Sequence, residues 1–286
     1  MNRIFSVLHF FLISILFVFF NPLLFATTLA LPHTNQFISY TDIGHGKPLV
    51  LIHAFPTDQR LWQGQQQGLK EHFRVITLDL WGFGQSSTVD GKAISMSEYA
   101  LEVKELLDYL KIDKAIIAGE SMGGYIALAF LGKYPNQTLG LVLSNTQAVA
   151  DSPETRATRE QTALDVLEHG TANLIDGFMT KALSPDASPQ TKTYLYHILN
   201  LQKPTAIASA LRGMALRDAT VSLLTTTMLP ILIITSEMDK VIPPQQSIDM
   251  HSLAKNSQLI ILPNAGHLSN LEKPEQWNQA VIDFFA

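Results

Sequence analysis

Three side chains, far apart in the chain, are of the types that nucleophilic acyl transfer requires. Ser121 stands in Gly119-Glu120-Ser121-Met122-Gly123, between the apolar run 115–118 and the Ala-rich, helical-looking run 125–131. A G-x-S-x-G sequence between a strand and a helix suits a nucleophile elbow: a sharp, strained turn that lifts a hydroxyl clear of the sheet, with glycines where strand and helix come close. The same turn puts the Met122 N–H at a helix N-terminus, where backbone donors are unpaired. A serine needs a base, and the base needs an orienting acid. His267 lies in Asn264-Ala265-Gly266-His267-Leu268, after the last strand-like run, placed to reach back over the sheet. His53 precedes the serine and is read as a brace for its own loop, while His169, His197 and His251 fall in helical stretches. Glu237 and Asp239 follow the apolar run 231–234. Asp239 is the acid, deeper in its loop and just ahead of Val241-Ile242, and Glu237 is read as a loop carboxylate in solvent.

An oxyanion formed on that serine needs two donors. One is the Met122 N–H; the other comes from His53-Ala54-Phe55-Pro56, where the Phe55 N–H is the candidate. Phe55, Met122, Val241 and Leu268 border the three side chains and outline an apolar pocket for a substrate, with Val241 and Leu268 as its candidate lining residues. Arg212 could meet a substrate carboxylate, though a structural ion pair is the simpler role. Phe178, Met179, Leu195 and Ile198 are read as core of the helical region that carries them.

Elements that would position these residues can be read from periodicity. Apolar strand runs cover 37–41, 49–53, 73–78, 115–118, 139–143, 229–235 and 258–262. Helical patterns fill 58–69, where a glutamine cluster reads as a solvated face, 97–110 with a Ser cap, 125–131 and 274–285. Strands alternating with helices predict a mostly parallel sheet covered on both faces. Between 148 and 227 the alternation stops: helical runs cover 153–169, 171–182, 190–201 and 204–215, with no strand pattern. Both flanks return to one sheet, so this segment is a helical cap over the strands' carboxyl ends, inserted into a core of 31–147 and 228–286.

The chain has 286 residues, 47% of them hydrophobic and 16% charged, enough for one large α/β domain. A net charge of −5 and the lack of any Lys/Arg cluster argue against a nucleic-acid partner. Without cysteine there is no disulfide or thiol nucleophile, and no H-E-x-x-H spacing suggests a metal. The Gly44-His45-Gly46-Lys47 stretch lacks the spacer of a phosphate loop, and the lone G-x-G at 82–84 is too little for a dinucleotide. No cofactor is expected. The N-terminus reads as an export leader over 1–30: Arg3, an apolar run over 4–20, Asn21-Pro22, then small residues up to Ala30. Seventeen residues as helix span about 26 Å, so an uncleaved membrane anchor is the alternative. Either form places the protein outside the cytoplasm, with a membrane contact only if the leader is retained.

His53-Ala54-Phe55-Pro56, Asp79-Leu80-Trp81-Gly82-Phe83-Gly84-Gln85-Ser86, Gly119-Glu120-Ser121-Met122-Gly123-Gly124, Asp239 and Gly266-His267 together resemble the α/β-hydrolase superfamily, from residue 36 to the C-terminus. Within it, Ser121-Met122-Gly123-Gly124-Tyr125, Ala210-Leu211-Arg212-Gly213-Met214 and the 266–274 stretch are similar to small-cap carboxylesterases and 3-oxoadipate enol-lactonase-like hydrolases. The resemblance implies an α/β-hydrolase fold with an inserted cap and a small-molecule ester or lactone as substrate. Ala54 departs from the family's usual His-Gly, and the leader departs from the cytoplasmic lactonases. Perhydrolase or C–C hydrolase chemistry would use the same three residues; a ligand-binding protein on this fold usually lacks one of them.

Overall fold

A computed structural model describes residues 26–31 and 36–286. One eight-stranded sheet carries the chain, formed by β1 (Thr27–Ala30), β2 (Phe37–Gly44), β3 (Lys47–Ile52), β4 (Phe73–Asp79), β5 (Ala115–Glu120), β6 (Thr138–Ser144), β7 (Ile231–Ser236) and β8 (Ser257–Leu262). Its order is β1-β2-β4-β3-β5-β6-β7-β8. The β1/β2 and β2/β4 pairs are antiparallel and all others parallel. From β3 the chain steps to β4 on one side and then to β5 on the other, so the β3 and β5 carboxyl ends flank the point where the winding reverses. Ligands on open α/β sheets bind at that crevice. Leu49↔Ile116 through Ile52↔Gly119 fixes the register there, which sets the Phe55 loop beside the serine turn.

Alternating strand residues feed two cores. Leu49 and Leu51 of β3 and Ile116 and Ala118 of β5 pack with Trp62, Trp277 and Val281 on one face. Val50, Ile52 and Ile117 pack with Tyr99, Val103, Ile126 and Phe130 on the other. The helices covering the faces are α1 (Gln63–Leu69), α2 (Met96–Tyr109) and α3 (Met122–Lys133), joined further on by α9 (Pro244–Leu253), α10 (Ser269–Glu272) and α11 (Pro274–Phe285). Between β6 and β7 come α4 (Pro153–His169), α5 (Ala172–Ala182), α6 (Pro189–Asn200), α7 (Pro204–Ala215) and α8 (Val221–Thr226). The first four are the expected cap helices. The short α8 packs on α3 and α9, so the end of the insert rests on the sheet's own helices.

Several local expectations are revised. Ser95, not Ser97, caps α2: its hydroxyl accepts the Glu98 N–H while the Glu98 carboxylate accepts the Ser95 N–H. The 58–69 segment is a 3₁₀ turn, Gln59–Trp62, capped by Asp58, followed by α1. Of its glutamines only Gln63 and Gln67 form the expected solvated face. Gln59, Gln65 and Gln66 are buried, and their side-chain amides reach Asp79, the Asn270 carbonyl and the Thr77 hydroxyl. Residues 1–25 of the expected leader lie outside the described residues. Its last four residues do not stand apart from the fold, because Thr27–Ala30 form the edge strand with Leu29 buried against β2. No helix among the described residues is long and apolar enough to cross a membrane.

Candidate active site

Ser121 sits between β5 and α3 with φ 55° and ψ −113°, in the left-handed half of backbone space that a side chain resists. Close packing holds it there. A Cβ on Gly119 would lie 2.0 Å from the Gly123 carbonyl carbon, and one on Gly123 would lie 2.1 Å from the Ile52 carbonyl oxygen. Glycine is therefore required where β5, α3 and the β3 end converge. Two bonds pin the turn: the Ser121 N–H donates to the Ser144 carbonyl (2.8 Å) and the Thr146 hydroxyl to the Ser121 carbonyl (2.7 Å).

The structure brings the three predicted side chains together. Ser121 Oγ lies 2.8 Å from His267 Nε2, and His267 Nδ1 lies 2.8 Å from Asp239 Oδ2. All three are buried. Burial by itself would push the Asp239 carboxyl up. The His267 charge and hydrogen bond, with N–H bonds from Ile242 and the Asn145 amide, hold it below the ordinary carboxylate range. An ionised Asp239 keeps the imidazole proton on Nδ1 and leaves Nε2 to accept from the serine. Asp239 Oδ1 takes the Val241 and Ile242 N–H groups (2.8 and 2.9 Å), so its rotamer is fixed by its own loop.

Asn145, just after β6, is a partner that reading for charged groups missed. Its amide donates to Asp239 Oδ2 and Ser236 Oγ (both 2.9 Å), and its carbonyl accepts from Ser269 (2.7 Å). Glu272 is another. It accepts the Gly266 N–H (2.7 Å) and, from the segment after α5, the Ser184 N–H (3.1 Å) and hydroxyl (2.5 Å), tying the His267 loop to the cap.

Met122 opens α3, so its N–H precedes the helix's own ladder. Phe55 lies in a turn closed by the Thr57 N–H on the Ala54 carbonyl (2.9 Å). That carbonyl also takes the Thr57 hydroxyl (2.8 Å) and faces His53 Nδ1 (3.0 Å), while His53 Nε2 accepts the Leu80 N–H (3.1 Å). His53 thus braces the loop as a neutral ring, its pKa lowered to about 4 by burial. The Ala54 side chain points into the apolar cluster of Leu61, Ile175 and Leu195. Phe55 and Val241 line a cavity of about 340 Å³ that opens on Ser121 and His267. Leu268 does not line it: its backbone is bonded to the Ala182 carbonyl (3.1 Å) and its side chain is in the cluster with Ala54. The Met122 side chain is likewise in the core and does not line the cavity. Leu195 and Ile198 are buried in the cap. Phe178 is cavity wall as well, edge-on to His267 with ring centroids 6.4 Å apart. Arg212 pairs with Glu160 (2.7 Å) and the Gly91 carbonyl (2.7 Å), and Glu237 is an exposed loop carboxylate near the Asn264 N–H.

A sequence profile of the alpha/beta hydrolase fold matches residues 47–274. A thermophilic esterase from Thermogutta terrifontis, solved with malate bound, superposes with a TM-score of 0.87 at 30% identity, over 90% of this chain and 97% of that one. The 3-oxoadipate enol-lactonase 1 of Acinetobacter baylyi is 28% identical, over 82% of this chain and 87% of its own. An AB hydrolase superfamily protein of Bacillus subtilis is 28% identical over 88% of this chain and 96% of its own.

Proposed function

Because the chain belongs to the alpha/beta hydrolase fold family, whose members here include esterase and enol-lactonase relatives, we propose that it is a serine hydrolase. It cleaves a small carboxylic ester or lactone through an acyl-enzyme. The observation that carries this reading is the unbroken relay from Asp239 through His267 to a hydroxyl held on a strained turn.

In the first half-reaction His267 Nε2 removes the Ser121 proton as Oγ adds to the carbonyl carbon. The resulting oxyanion is held by the Met122 and Phe55 N–H groups. Collapse breaks the bond to the alkoxide, which takes the proton back from His267, leaving an ester on Ser121. Water then adds to that ester with His267 as base, the second tetrahedral species expels Ser121, and the serine recovers its proton. Asp239 stays ionised and offsets the imidazolium that forms twice per cycle. Phe178 packs edge-on to the imidazole at the cavity wall. The leader supports action outside the cytoplasm.

A fluorophosphonate probe read by intact mass, beside hydrolysis of 4-nitrophenyl esters of graded length, tests the assignment. The wild type should gain one adduct on Ser121, and Ser121→Ala should lose both the adduct and about 10³-fold or more of the rate. An alanine variant with wild-type turnover would rule the mechanism out.

A further inference from the structure

Two arginines share a single carboxylate, and one of the two lines the cavity together with it. Asp151, buried just ahead of α4, accepts Arg159 Nε on Oδ2 (2.6 Å) and Arg217 Nη1 on Oδ1 (2.7 Å). The cluster therefore carries one net positive charge. The two arginines are not equivalent. Arg217 has a side-chain exposure of 6%, bonds to the Met214 and Val149 carbonyls, and lies 4.1 Å over the Tyr125 ring. It is nearly enclosed and held by backbone carbonyls, and it is not among the residues lining the Ser121 cavity. Arg159 lines the cavity with Ser121 and retains 19% side-chain exposure.

Besides Asp151, the acceptor that Arg159 meets among the described residues is the Met214 thioether, 3.6 Å from Nη1. Sulfur is a weak acceptor, and a guanidinium has five N–H donors. Both N–H groups of Nη1 and one of Nη2 are thus without an oxygen partner, a fork suited to a carboxylate. Among the lining residues Asp151 is the one carboxylate, so no second one balances the guanidinium. A positive charge at a partly dry wall attracts an anion more strongly than one in water.

We infer that the cavity takes an ester or lactone bearing a free carboxylate elsewhere in the molecule, and that Arg159 binds that carboxylate. This rests on the hydrolase reading above. Arg159 is then a specificity residue, and Arg212, ion-paired to Glu160 and absent from the cavity lining, is not.

The test measures kcat/KM for two matched pairs. One is the 4-nitrophenyl half-ester of glutarate against 4-nitrophenyl pentanoate, with the charge on the acid side. The other is 3-carboxyphenyl butanoate against phenyl butanoate, with the charge on the alcohol side. The wild type should prefer the anionic member of at least one pair by about tenfold or more. Arg159→Gln should collapse that ratio toward one and raise the inhibition constant of free glutarate by a similar factor. Arg159→Lys should retain part of the preference, and Arg212→Gln should keep the ratio within about twofold. The wild-type ratio needs no variant to fold. Wild-type enzyme that takes the fluorophosphonate adduct yet shows no preference in either pair overturns the anion site alone, as does an Arg159→Gln ratio equal to wild type. Wild-type enzyme with neither adduct nor turnover overturns the hydrolase reading and this inference together.

Discussion

His53 makes the oxyanion loop sensitive to acid in a way that can be measured. The ring is fully enclosed, accepts the Leu80 N–H at Nε2 and has the Ala54 carbonyl at Nδ1. Protonation would place an N–H at Nε2 against a backbone N–H, and would charge a group with no water around it. Its folded pKa is accordingly lowered to about 4, against about 6.5 in the unfolded chain. Between those values the unfolded chain binds a proton that the folded chain refuses, so stability falls as pH drops through that window. Linkage gives a loss of about 2 kcal/mol from pH 7 to pH 5, and about 3 kcal/mol if acidification continues to pH 4. Other groups titrate in the same range: Asp79, pushed up to about 6 mainly by burial and then by the Asp58 charge, acts in the opposite direction. The comparison must therefore be with His53→Gln, whose amide oxygen can still accept the Leu80 N–H and cannot titrate. Urea unfolding of both proteins at pH 7, 6 and 5 gives the gap between them. Any fixed cost of the substitution cancels across pH, and the gap should shift by about 2 kcal/mol in the variant's favour on going to pH 5. A gap constant to within about 0.5 kcal/mol would refute a neutral, sealed His53.

Two further predictions follow from contacts rather than charge states. Glu272→Ala frees the Gly266 and Ser184 N–H groups and should cost about 2 kcal/mol in urea unfolding, with kcat falling more than KM rises because His267 is the next residue. Unchanged kcat would mean the loop needs no such tie. A chain beginning at Leu31 lacks the Leu29 burial and the β1 pairing, and should be less stable by about 2 kcal/mol than one beginning at Ala26. Equal stability would leave a leader cut after Ala30 structurally neutral.

How far the site could be read in advance follows the range of the forces that shape it. The serine turn is a local steric problem, so its glycines stand in the motif itself and mark the place. The order serine, acid, base follows from strand-end loops, and apolar runs reveal strands without any partner. The helical insert between β6 and β7 was visible as the stretch 148–227 in which strand alternation stops. What could not be read depends on residues that meet only after folding. Gln65 bonds to Asn270, 205 positions away, so a glutamine that looks like solvated surface is a buried tie between α1 and the loop after the base. Leu268 follows His267 directly, but the chain turns so that the imidazole faces the serine and the leucine faces the cap.

The same distinction explains why the charged side of the cavity was overlooked. After Pro153 the first turns of α4 are polar apart from Ala157, and nothing in their period singles out Arg159 from Arg156 or Glu160. Only the fold places Arg217, 58 residues later, on the same carboxylate. One aspartate can neutralise one guanidinium, so with both arginines on Asp151 the cluster keeps a net positive charge. Arg159 is left as a donor facing the serine's cavity. The nucleophile we propose and the group we assign to recognition are thus set by different levels of structure, the first by a five-residue turn and the second by a three-residue charge balance. Substrate preference on this scaffold can consequently change through the cap cluster while the turn, the base and its acid stay as they are.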